Sequence, residues 1–148
     1  MHKWFLVLIL TVCSGVAMAQ ELPEDPELKK LLIGKWRCEQ KNGDLTMRTI
    51  TIYTEDGKMT STASMIVEKS STDYSIKGTW DIRDGIIHWE VTASDSFAMT
   101  IGEKGRDRIK TLNAAKLIYT DQTGQVVAET RMTEETPQTA TPAPAVAE

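Results

Sequence analysis

The run Tyr74-Ser75-Ile76-Lys77-Gly78-Thr79-Trp80-Asp81-Ile82-Arg83 leads straight into Asp84-Gly85 and then Ile86-Ile87-His88-Trp89-Glu90-Val91. In its first half Tyr74, Ile76, Trp80 and Ile82 share one side of an extended chain, and Ser75, Lys77, Thr79, Asp81 and Arg83 share the other. A strict two-residue period of this kind is the mark of an antiparallel strand with one face buried and one in water. Ile87, Trp89 and Val91 repeat the pattern against His88 and Glu90, and Asp-Gly between two such runs is a strong signal for a tight hairpin.

The same grammar extends in both directions. Asn42-Gly43-Asp44 separates a strand around 35–40 from one around 45–54, and Asp56-Gly57 separates that one from 58–68. A Ser/Thr/Asp cluster over 70–73 reads as a connection into the central strand. Beyond Val91, a loop-like stretch through Gly102 and Gly105 precedes strands near 108–112, 116–120 and 125–132, the last two joined at Thr123-Gly124. Sequential hairpins on short connections make an up-and-down meander. About eight strands in roughly 100 residues favour closure into a barrel, because an open sheet would leave two unpaired edges. A two-sheet sandwich of the same strands is the alternative that periodicity leaves open. The expected class is therefore all-β, an up-and-down antiparallel barrel with a short N-terminal helix.

That helix is announced by Asp25-Pro26-Glu27, a capping carboxylate followed by a proline suited to the first helical position. Leu28, Leu31 and Leu32 then fall at i, i+3 and i+4, and two turns of helix are stable only if such leucines dock on something. Upstream, Lys3 precedes the apolar run Trp4–Val12, and Ala17-Met18-Ala19 supplies the small-large-small pattern cut by a signal peptidase. Residues 1–19 are thus read as a signal peptide, which places the mature chain in the periplasm or outside the cell. The apolar run is too short to span a bilayer. Lipidation at Cys13 is the alternative address, from which Val12 departs. Residues 20–27 read as a linker and 28–132 as the folded domain. From 133 to 148 the chain turns to Thr, Pro and Ala without periodicity, a composition that reads as a disordered tail.

Leu32-Ile33-Gly34-Lys35-Trp36 opens the first strand, Tyr53-Thr54-Glu55-Asp56-Gly57-Lys58 forms a turn, and Gly78-Thr79-Trp80 repeats Gly-x-Trp in the middle strand. With these residues the chain resembles the lipocalin and fatty-acid-binding-protein group, particularly small bacterial proteins with lipocalin-like domains, over about 28–132. The resemblance implies that Gly34 and Trp36 begin the barrel, that Trp36 closes its base and that Arg131 packs over Trp36. It also implies a non-catalytic protein that binds a small apolar or amphipathic ligand in the barrel. The domain is shorter than a typical lipocalin, so its interior should be smaller. The alternative is an envelope-associated interaction module whose barrel is filled and whose protein partner the sequence does not name.

Composition narrows the field further. With 17 Lys and Arg against 21 Asp and Glu the net charge is −4, so no basic surface for nucleic acid is expected. Cys38 is the one cysteine downstream of the leader, in phase with Trp36, where a thiol acts as a small hydrophobe. His88 faces away from Trp89 and reads as a solvated surface residue. No metal ligand set, cofactor or catalytic group is legible. Gly102-Glu103-Lys104-Gly105-Arg106-Asp107-Arg108 lacks phosphate-loop spacing and reads as a surface turn. On the strand 58–68 the face carrying Met59, Ser61, Ala63, Met65 and Val67 mixes small and flexible side chains, which suit an adaptable pocket. Met59, Ala63, Met65, Trp80 and Trp89 are accordingly the expected ligand-binding residues.

The export reading makes a direct prediction: protein recovered from the periplasm or medium of a bacterial host begins at Gln20 by mass spectrometry. An acyl-modified Cys13 would instead mark an anchored lipoprotein.

Overall fold

The computed structural model describes residues 21–97 and 99–133. The expected leader, its Cys13 and the tail from 134 onward lie outside the described residues. Helix α1 (Asp25–Leu32) is followed by β1 (Gly34–Asn42), β2 (Leu45–Tyr53), β3 (Lys58–Val67), β4 (Ser70–Arg83), β5 (Ile86–Ser94), β6 (Lys104–Leu112), β7 (Lys116–Thr120) and β8 (Val126–Arg131). Each strand pairs antiparallel with the next, and β8 returns to β1, giving a closed eight-stranded barrel. Closure was the expectation, and the sandwich alternative falls. Among the described residues no helix is long and apolar enough to cross a membrane.

Alternation places the core as the central hairpin foretold. Trp80 pairs with Trp89 and Ile82 with Ile87 across a turn in which Asp84 (φ 55°) and Gly85 (φ 67°) both take the left-handed conformation. Two positive φ values in a row are what the twist of a two-residue hairpin requires. The buried cluster of Leu28, Leu32, Trp36, Tyr53, Met59, Trp80, Ile82, Ile87, Ile109, Leu112 and Leu117 fills the end of the barrel against which α1 lies.

The helix is bound to that end by polar as well as apolar contacts. Leu28 and Leu32 are fully buried. Asp25 was expected to cap the helix, but Glu24 takes the cap position and no side chain caps it. The Asp25 carboxylate instead accepts hydrogen bonds from the amides of Asp84 (2.8 Å) and Gly85 (2.9 Å), stapling the first turn to the β4–β5 hairpin. At the other end the last carbonyls of a helix lack intrahelical partners. The indole N–H of Trp36 donates to the Leu32 carbonyl at 2.8 Å, and the Arg131 guanidinium donates to the carbonyls of Ile33 (2.7 Å) and Leu31. The same guanidinium lies 4.3 Å from the Trp36 ring centroid. A Cβ on Gly34 (φ 134°) would collide with it, so this position admits no side chain.

Two connections proved to be strand. The polar cluster Ser70–Asp73 belongs to β4, where its backbone pairs with Val67, Ile66, Met65 and Ser64 of β3. Hydrogen bonding to a neighbouring strand outweighs the local preference of Ser, Thr and Asp for turns. The stretch 102–108, read as a surface turn, enters β6 at Lys104, with Gly105 and Asp107 buried. Next to the base of the barrel the β1–β8 ladder comprises only Trp36–Arg131 and Arg37–Thr130, and it stops short of Cys38 and Glu129 toward the open end.

Removing the buried indole of Trp36 by Trp36→Ala should cost roughly 3–5 kcal/mol in denaturant unfolding. Arg131→Ala should cost about 1–3 kcal/mol through its lost stacking and charge-assisted bonds. The double mutant should show a coupling of more than about 0.5 kcal/mol; strictly additive losses would show that the two side chains act separately.

Candidate functional site

Above the filled base the interior is hollow. A cavity of about 280 Å³ is bounded by Cys38, Thr49, Thr51, Tyr53, Met59, Ser61, Ile76, Trp89, Asp107, Tyr119, Val127 and Glu129, with Gln40, Met99, Asp121 and Gln125 at the mouth. Gln40 and Gln125 are exposed, so the cavity communicates with solvent at the end away from α1. The walls come from the inward phase of the strands. Met59 and Ile76 give β3 and β4 apolar groups beside the Ser61 hydroxyl, whereas Asp107, Tyr119 and Glu129 give β6, β7 and β8 acidic and phenolic ones beside Val127.

The two carboxylates are the unusual feature. Glu129 is only 5% exposed and Asp107 only 9%. The indole N–H of Trp89 donates to Asp107 Oδ2 at 2.8 Å, and the Tyr119 hydroxyl donates to Glu129 Oε1 at 3.1 Å. Glu129 Oε2 is buried and has no hydrogen-bond partner. Trp89 reaches Asp107 by lying across Gly105, where a Cβ would run into the indole ring. The hydroxyls of Thr51 and Ser61 pair with each other at 3.1 Å on the opposite wall.

Burial sets the proton affinities. Loss of hydration raises Glu129 from 4.5 to about 7, with the Tyr119 hydrogen bond pulling it down and the Asp107 charge pushing it up. Loss of hydration likewise raises Asp107 from 3.8 to about 6, against the Trp89 hydrogen bond and with the charge of Asp121. Tyr53 and Tyr119 are pushed well above the ordinary phenol range, mainly by burial and then by the Glu129 charge. Cys38 is pushed up to about 11 by burial and by Glu129, so its thiol stays protonated at neutral pH.

Of the expected ligand-binding residues, Met59 and Trp89 line this cavity. Trp80 sits lower, in the filled core, edge-on to Tyr53 with ring centroids 5.5 Å apart and its indole N–H donating to the Lys58 carbonyl. Ala63 and Met65 are half-buried farther along β3, outside the lining, where they pair with Thr49 and Met47 of β2. Sequence reasoning passed over Asp107, Tyr119 and Glu129. A signal for them existed: Asp107 is in phase with Ile109, Tyr119 with Leu117 and Glu129 with Val127, and a carboxylate on the apolar phase of a strand is a buried one.

A larger groove of about 520 Å³ runs over the outside of β4, β5 and β6 past Asp81, His88, Glu90 and Lys104. Its two carboxylates are already paired, Asp81 with Lys29 at 2.6 Å and Glu90 with Lys104 at 3.2 Å. No grouping of three or more His, Cys, Asp or Glu suited to a metal ion occurs among the described residues.

A carboxyl group that binds its proton more tightly in the folded state destabilises the fold as pH rises through the interval between its unfolded and folded values. Glu129 and Asp107 together should therefore make the ligand-free protein less stable at about pH 8 than at about pH 5, with Glu129 contributing on the order of 2–3 kcal/mol. Glu129→Gln should flatten the pH dependence measured by chemical denaturation, whereas an unchanged slope would mean that Glu129 ionises as freely in the fold as in water. A scan against protein-family models finds none that matches the chain, and a search of curated proteins likewise finds no match.

Proposed function

We propose that this chain is an exported, non-catalytic lipocalin-like protein that holds one small amphipathic molecule inside its barrel. The observation that carries this reading is the division of the interior, filled against α1 and hollow at the far end, with the apolar side chains Met59 and Ile76 on β3–β4 and the acids and phenol of Asp107, Glu129 and Tyr119 on β6–β8. At about 280 Å³ the cavity lies at the small end of ligand sites, which suits a compact molecule rather than a long lipid chain. A hollow of this size favours a holder over the alternative of an interaction module with a solid barrel.

Trp89 borders the cavity and reports its occupancy. Titration with 3-phenylpropan-1-ol, a compact neutral amphiphile, should change tryptophan emission saturably with a Kd on the order of 10–100 μM. Thr49→Phe places an aromatic ring in the hollow at a position where strand propensity tolerates it. The variant should weaken binding at least about tenfold while melting within a few degrees of the wild type. A wild type with no saturable response would refute the holder reading.

A further inference from the structure

Resting on that reading, we propose that the molecule held in the barrel is a small organic cation, a primary ammonium on an aromatic or short alkyl body, with its charged nitrogen against the Glu129 carboxyl group. Every charged group in the cavity lining is acidic: Asp107 and Glu129 inside and Asp121 at the mouth, with no Lys, Arg or His among the lining residues. Within the site each inner carboxylate has one oxygen bonded by a fixed protein donor, Trp89 for Asp107 and Tyr119 for Glu129. These bonds orient the groups and leave Glu129 Oε2 buried without a partner, on a side chain that lines the cavity. Burying a carboxylate without a partner is costly, and an ammonium placed against it would supply both the hydrogen bonds and the opposite charge. The ligand's apolar body would lie toward Met59 and Ile76, with the rings of Tyr53, Tyr119 and Trp89 flanking the cation.

A cation at this position favours ionised Glu129, so it should bind more tightly as pH rises and should expel protons. The ionisable groups facing Glu129 are Cys38 from β1, Tyr53 from β2, Asp107 from β6, Tyr119 from β7 and Asp121 beyond it, whereas β3, β4 and β5 present Met59, Ser61, Ile76 and Trp89. Burial carries Cys38 and the two tyrosines above the neutral range. Asp121 is held below its ordinary value, first by the Thr123 hydroxyl. Glu129 and Asp107 are therefore the groups that titrate between about pH 5 and about pH 8.

The test compares three ligands of one shape, 3-phenylpropylammonium, 3-phenylpropan-1-ol and 3-phenylpropionate, by tryptophan fluorescence and calorimetry on the full chain. The ammonium should bind at least about tenfold more tightly than the alcohol, and the carboxylate more weakly than either. Glu129→Gln keeps an acceptor for Tyr119 and should abolish the preference for the ammonium over the alcohol. Should that variant fail to fold, the wild type suffices: affinity for the ammonium should rise from about pH 5 to about pH 8, with proton release seen as a buffer-dependent binding enthalpy. An alcohol that binds as tightly as the ammonium, or an ammonium affinity indifferent to pH, would overturn the cation assignment and leave the holder reading standing. Failure of all three ligands to bind would overturn the holder reading itself, and this one with it.

Discussion

The Arg131 guanidinium holds the barrel's base together because three things need it at once. The C-terminal carbonyls of α1 require donors, the Trp36 ring offers its face, and the first and last strands must meet. A helix of eight residues has little stability of its own, so its position depends on Leu28 and Leu32 below and on these donors at its end. One planar group with several fixed N–H donors serves all of these demands, as a lysine could not. Gly34 follows from the same constraint, since the guanidinium occupies the space that a side chain there would take.

Closing one end decides what the other can be. The apolar side chains of the described barrel concentrate where α1 lies, and the β1–β8 ladder is short and gives out at Arg37–Thr130. Above that point the strands line a hollow without filling it, and the groups that reach it include two carboxylates. Their proton affinities show the cost of the arrangement, since both are raised chiefly by loss of water. A core built only for stability would place apolar groups there, because a pair of buried acids in one chamber adds mutual repulsion to desolvation.

The fold was legible because its information is local. The alternation of Tyr74–Arg83 and the Asp84-Gly85 turn set one hairpin, and like signals set the others. Misreadings arose where backbone pairing overrode composition, as at Ser70–Asp73, or where a glycine served packing instead of a turn, as at Gly105 beneath Trp89. Less of the site could be read. Met59 and Trp89 could be placed at the interior, where they line the cavity, because apolar residues in phase announce one. Ala63 and Met65 obey the same period, but how far the chamber extends along β3 depends on where the neighbouring strands end, which is a property of the closed barrel. Asp107 and Glu129 were overlooked because charged residues on short strands are ordinarily assigned to solvent, although their phase pointed inward.

The distribution of the polar groups around the barrel sets the character of the chamber. Asp107, Tyr119 and Glu129 lie on three consecutive strands, and the apolar contribution of Met59 and Ile76 comes from β3 and β4 across the interior. Strand order therefore converts a pattern spread over seventy positions of sequence, from Met59 to Glu129, into a cavity with two unlike sides. Trp89 stands between them on β5, its ring in the lining and its N–H on Asp107. A molecule held in the barrel as proposed would meet acidic groups on one side and Met59 and Ile76 on the other. It would be retained best if it satisfied both, since an apolar body alone leaves the Glu129 carboxyl without a new partner and a polar head alone leaves Met59 and Ile76 wet.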